Sequence, residues 1–107
     1  MSALLPDDPV LVPLRHRLER MYGDTLARAV LFGSRARGDW NDESDYDVAV
    51  FLTGIPDWWQ EMDRLADLRV EFLGGTGDFL DAKPFHISEW SKRSALMGEI
   101  RRDGIDF

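Results

Sequence analysis

The sequence predicts a small α/β domain of α+β type, with helices packed on one small mixed β-sheet. Three observations carry this. Segments with helical apolar spacing alternate with short apolar runs bounded by glycine or proline. The chain has 107 residues, the size of one domain, so residues 1–107 are read as a single unit. It contains no cysteine, so neither disulfides nor a thiolate metal site build it.

Asp8 and Pro9 read as an N-cap and a first-turn proline. Val10, Leu11, Leu14, Leu18 and Met21 then recur at helical spacing to Tyr22, and Gly23 is placed to stop the helix. Residues 27–32 are a mostly apolar run ending at Gly33, a buried strand. Residues 38–43 are polar and turn-like, and Asp45 to Leu52 form a second buried strand that Gly54 and Pro56 break. Asp57 and Gln60 make a capping box for a helix carrying Trp58, Met62, Leu65, Ala66, Arg69 and Leu73, with one of Trp58 and Trp59 expected in the core. Gly74-Gly75-Thr76-Gly77 ends that helix. A third strand runs from Asp78 to Phe85, at a sheet edge or ending at Pro84. A last helix opens at Ser88 or Ser91 and runs to Arg102, with Gly104 as its stop, and Ile105-Asp106-Phe107 add a short terminal strand.

Lys and Arg number 13 against 20 Asp and Glu, a net charge of −7, so no general basic field holds the chain on nucleic acid and no direct DNA binding is expected. A nucleotide is still admissible, because a bound cation reverses the local sign. No apolar run is long enough to span a membrane, and Met1 to Asp8 lack the basic flank and apolar stretch of a signal peptide. With no cysteine, a cytoplasmic location is expected. His16 and His86 are isolated and read as structural or exposed, and Trp40 reads as a loop residue that packs locally, meets a partner or stacks on a base.

The chemistry is concentrated between Leu31 and Val50. Gly33-Ser34 follows a buried strand and opens a short helix; a glycine there admits a ligand close to the backbone, and free N–H groups beside a serine hydroxyl suit phosphate oxygens. After ten intervening residues, Asp45 and Asp47 stand two apart at a strand start, where alternation puts both carboxylates on one face. Two carboxylates held that close repel unless a proton or cation lies between them, and Mg²⁺, a hard oxygen-liganded ion that also binds substrate phosphates, suits them. Each part alone is more often a plain turn or a solvated strand end. The ordered combination describes a site for a nucleoside triphosphate with Mg²⁺.

That combination, carried by Gly33, Ser34, Arg35, Arg37, Gly38, Ser44, Asp45 and Asp47, resembles the nucleotidyltransferase superfamily that includes DNA polymerase beta, and within it the minimal nucleotidyltransferase branch. The resemblance is strong over residues 31–51 and elsewhere is one of size and element order. It implies a nucleotidyltransferase-like fold, triphosphate held by Gly33 and Ser34, and Mg²⁺, as two ions, held by Asp45 and Asp47. It also implies a third carboxylate on a later strand acting on the attacking hydroxyl; Asp81 is the candidate, with Asp78 its competitor. Arg35 and Arg37 are read as neutralising phosphate charge or as lying on a solvated helix face.

In the minimal branch the resemblance implies transfer of AMP from ATP to a tyrosine hydroxyl of a partner HEPN-type RNase toxin, the chain acting as its antitoxin. Two rival readings are a module that binds nucleotide or neutralises a toxin by contact alone, and a transferase that modifies a small molecule such as an antibiotic.

Overall fold

The computed structural model describes residues 8–39, 41 and 44–107. Trp40 therefore lies outside the described residues, as do Asp42 and Glu43 of the motif segment and Met1 to Asp7.

Helix α1 (Leu11–Tyr22) starts two residues later than the sequence predicts, with Val10 rather than Asp8 at its N-cap position; one Asp8 carboxylate oxygen still accepts from the backbone N–H groups of Val10 (2.8 Å) and Leu11 (2.9 Å). Its buried side chains, Leu11, Leu14, Leu18 and Tyr22, recur every three or four residues and form one stripe. Strands β1 (Leu26–Phe32) and β2 (Tyr46–Leu52) pair antiparallel around the short helix α2 (Ser34–Arg37). Helix α3 (Trp58–Thr76) then carries the chain across so that β3 (Leu80–His86) pairs parallel to β2, as a parallel pair requires. Helix α4 (Ala95–Asp103) leads into β4 (Ile105–Asp106), which pairs antiparallel with β1. The sheet is mixed, in the order β3-β2-β1-β4, and β3 is an edge strand. Pro84 sits within it, opposite Val50, where an edge position spares a hydrogen bond on one side.

The central strand sorts two cores by alternation. Val48, Val50 and Leu52 pack against α1 and α3 with Leu14, Leu18, Leu65, Leu68 and Phe72. Ala49 and Phe51 pack on the other face with Val30, Phe32, Met97 and Ile100, beneath α4 and Trp90. Residues 48–51 are fully buried, which explains why β2 reads as a continuous apolar run. Asp47, one step along from Val48, therefore belongs to the α4 face of the sheet.

Several boundaries depart from the sequence reading. Helix α3 continues through Gly74 and Gly75; only Gly77, at φ +79°, takes the left-handed cap, so the first two glycines are tolerated in the last turn. Neither tryptophan at its start is core: Trp58 is 44% and Trp59 74% exposed, because the stripe that faces the sheet is Glu61, Leu65, Leu68 and Phe72. Leu73, beside that stripe, is likewise exposed. The third strand begins at Leu80, so Asp78 precedes it. Neither Ser88 nor Ser91 opens the last helix. Residues Ile87–Ser91 form one 3₁₀ segment, and α4 is capped by Ser94, whose hydroxyl accepts from the Met97 N–H at 3.1 Å. Among the described residues no helix is long and apolar enough to cross a membrane.

Candidate functional site

The turn after β1 is closed around Gly33. Its φ of +75° disfavours any side chain, and an added Cβ would collide with an Asp47 carboxylate oxygen and stand 3.2 Å from that carboxyl carbon. The Gly33 carbonyl accepts from the N–H groups of Ala36 and Arg37, both at 3.1 Å, and Gly38, left-handed at φ +88°, donates its N–H to the Ser34 carbonyl at 3.0 Å. Ser34 is thus the first residue of α2 and lies beside the glycine that touches Asp47.

Both motif arginines are tied to the protein. Arg35 donates through Nε to the Ser44 carbonyl (3.0 Å), and its guanidinium lies 4.0 Å above the Tyr46 ring, fastening α2 to the start of β2. Arg37 reaches Glu99 on α4 (3.3 Å) and Asp39 (3.4 Å). Arg35 is thus packed against β2, whereas Arg37 is exposed on α2 and makes two surface ion pairs.

The pairing of β2 with β3 puts Asp81 directly opposite Asp47. Both are partly buried, whereas Asp45 is exposed and lies just ahead of β2 rather than in it. Burial raises the Asp47 carboxyl above its usual range; the neighbouring charges of Asp81 and Asp45 raise it further, Lys83 opposes them and Glu99 adds to them. Lys83 Nζ stands 3.8 Å from an Asp81 carboxylate oxygen, two residues along the same strand and on the same face. Asp78 is partly buried in the segment before β3, where its N–H donates to the Thr76 hydroxyl (3.2 Å). The register does not pair it with Asp47. It acts instead on Tyr46, whose hydroxyl is pushed up by burial and Asp8, with Asp78 adding.

Among the described residues, no three His, Cys, Asp or Glu side chains already stand in a formed metal-ligand array. The donor set still fits a hard divalent cation. Asp47, Asp81 and Asp45 offer only carboxylate oxygens, and their mutual repulsion, visible at Asp47, is what such a cation relieves.

Sequence reasoning did not single out Lys83 or Glu99. Alternation from Asp81 was enough to find Lys83. Glu99 carried no signal, because it approaches Asp47 only when α4 packs on the sheet. His16 is exposed, and His86 bonds Ser88 and the Thr53 carbonyl, both structural roles.

A strand-turn-helix whose glycine is closed against an aspartate, with a second aspartate opposite it in the sheet, is the frame of a nucleotidyltransferase domain. The family model described as Polymerase beta, Nucleotidyltransferase matches residues 20–103, and the chain belongs to that family. Among curated proteins it is similar to "Putative protein adenylyltransferase MJ0141" of Methanocaldococcus jannaschii, 52% identical over 33 residues. That match covers 31% of this chain and about a third, 33%, of the relative. Among solved structures, one titled "Crystal structure of the toxin-antitoxin with AMP-PNP" aligns at TM-score 0.62 and 22% identity, covering 86% of this chain and 68% of that one. Two mutants of the toxin-antitoxin MntA-HpeT align at TM-scores 0.62 and 0.61, with 19% and 21% identity. They cover 88% and 90% of this chain and 69% and 70% of those chains. At these identities the likeness is one of fold.

Proposed function

We propose that this chain transfers AMP from ATP, with Mg²⁺, to a tyrosine hydroxyl of a partner HEPN-type RNase toxin and so acts as its antitoxin in the cytoplasm. The observation that carries the reading is the register of Asp81 opposite Asp47, with Gly33 closed against Asp47. The adenylyltransferase relative and the toxin-antitoxin neighbours support the acceptor class.

Gly33 and Ser34 receive the β- and γ-phosphates at the start of α2, and Arg37, which reaches toward α4, balances phosphate charge. Asp45, Asp47 and Asp81 hold Mg²⁺, as two ions, which when bound neutralises phosphate charge and favours ionisation of the acceptor hydroxyl. Asp81 orients that hydroxyl and takes its proton. The hydroxyl oxygen forms a bond to the α-phosphorus, the bond from that phosphorus to the bridging oxygen breaks, and pyrophosphate leaves with the electron pair.

The test is incubation with α-labelled ATP, Mg²⁺ and the protein encoded beside this one. Label on a tyrosine of that protein, absent with Asp47→Asn, is the expected result. Label unchanged by Asp47→Asn, or none on any protein, overturns the reading. Label on a small metabolite assigns the activity to small-molecule transfer instead.

A further inference from the structure

Every large apolar side chain that stands exposed among the described residues lies on α3 or just past it. Trp59, Met62, Ala66, Val70 and Leu73 are spaced by three, four, four and three residues, so they form a second stripe on α3, distinct from the one that faces the sheet. Val70 is 73% exposed, and Phe79, 56% exposed, extends the stripe beyond the helix end. A groove of about 350 Å³, lined by Ala66, Arg69, Val70, Leu73, Phe79 and Leu80, opens along it. A patch of this kind marks a contact surface rather than ordinary solvent-facing structure.

The stripe has a charged border. Asp63 and Asp67 are exposed along one edge and make no side-chain hydrogen bond or ion pair among the described residues. Helical spacing puts Arg69 on the other edge. Two copies of α3 packed antiparallel about a twofold axis would bring like edge against like edge, setting the acids of one copy beside those of the other. An anionic lipid surface meets the same repulsion.

We propose that the outward face of α3 docks an amphipathic helix of a partner protein that is apolar along its stripe and carries Lys or Arg along the edge facing Asp63 and Asp67. A large apolar side chain of that helix fills the groove between Val70 and Phe79. The surface is separate from the carboxylate site: Leu80 packs into the core under α1 and α3, whereas Asp81 lies on the α4 side of the sheet. The proposal therefore stands whether or not AMP transfer is the activity.

Fluorescence anisotropy with two labelled synthetic helices tests it. Each is roughly 18 residues long, held helical by a side-chain staple, with leucines along one stripe and either lysines or glutamates along the same edge. The lysine-edged helix is expected to bind about tenfold more tightly at low salt, the effect of two exposed charge pairs. Val70→Glu with Leu73→Glu abolishes that binding. Asp63→Lys with Asp67→Lys, at exposed positions, reverses the preference toward the glutamate-edged helix. Equal binding of both helices, or binding of neither, overturns the proposal. So does sedimentation of the chain alone as a dimer that Val70→Glu dissolves, which gives this face to a second copy.

Discussion

Gly33 and Asp47 occupy each other's space: the aspartate carboxylate fills the volume where any side chain at residue 33 would begin. Gly33→Ala meets this collision as well as a φ of +75°, and strain of that kind costs about 1–3 kcal/mol. Gly38 is also left-handed, at φ +88°, but a Cβ there meets nothing within 4 Å, so Gly38→Ala costs about 1 kcal/mol from conformation alone. Thermal unfolding should rank the two variants in that order. The activity assay should separate them more sharply, because only Gly33→Ala displaces Asp47. Equal losses of activity would remove the special role of the Gly33–Asp47 contact.

Asp47 carries a second consequence. Its carboxyl is raised in the folded protein by burial first and then by Asp81 and Asp45. An acid whose folded pKa exceeds its unfolded value favours folding when protonated, and that contribution is lost as pH rises through the folded pKa. At neutral pH the ionised group therefore opposes folding. Asp47→Asn should raise the thermal midpoint at pH 7, with the gain shrinking toward acid pH, while transfer falls roughly a hundredfold or more. Mg²⁺ should stabilise the unsubstituted chain, by about 2.7 kcal/mol at a hundred times its Kd, and so raise its midpoint, and a chelator should reverse it. The same titration should move Asp47→Asn much less.

How much of this was legible in the sequence follows from what each feature depends on. Gly33 was visible as a turn glycine because it closes an apolar run, but its contact with Asp47 needs the β1–β2 pairing, which brings Phe32 opposite Asp47. Asp81 was visible as an acid among apolar strand residues. Its position beside Asp47 depends on strand order, which no local pattern encodes. The cap at Asp57 was legible, and so was the Asp8 carboxylate bond just ahead of α1, since each is a short-range hydrogen bond within three residues. The α3 boundary and the exposure of Trp58 and Trp59 were not, because both depend on which of two apolar stripes meets the sheet.

The sequence admits two readings of Arg35, and its contacts make a stability prediction. The guanidinium stacks on Tyr46 and donates to the Ser44 carbonyl, joining α2 to β2 at the site. Arg35→Ala should cost about 1–2 kcal/mol. Arg35→Lys should recover little, since an ammonium neither stacks as a plane nor keeps the Nε donor geometry. Chemical denaturation of both variants checks this; full recovery by lysine would show that charge alone matters.

The two candidates for the third carboxylate differ in what surrounds them, which makes them separable. Asp81 lies opposite Asp47 and beside Lys83, at 3.8 Å, on the face that carries the acidic cluster. Asp78 precedes β3 and acts on Tyr46 instead. Asp81→Asn removes one of three crowded charges, so it should weaken Mg²⁺ binding in a calorimetric titration and cut transfer by roughly a hundredfold or more. It should also lower the Asp47 carboxyl, since Asp81 is the largest charge acting on it. Asp78→Asn should leave Mg²⁺ binding and transfer within about twofold, as for a surface substitution away from the site. The reverse pattern, with Asp78 essential and Asp81 dispensable, would move the proton acceptor out of the strand and break the link between sheet register and chemistry.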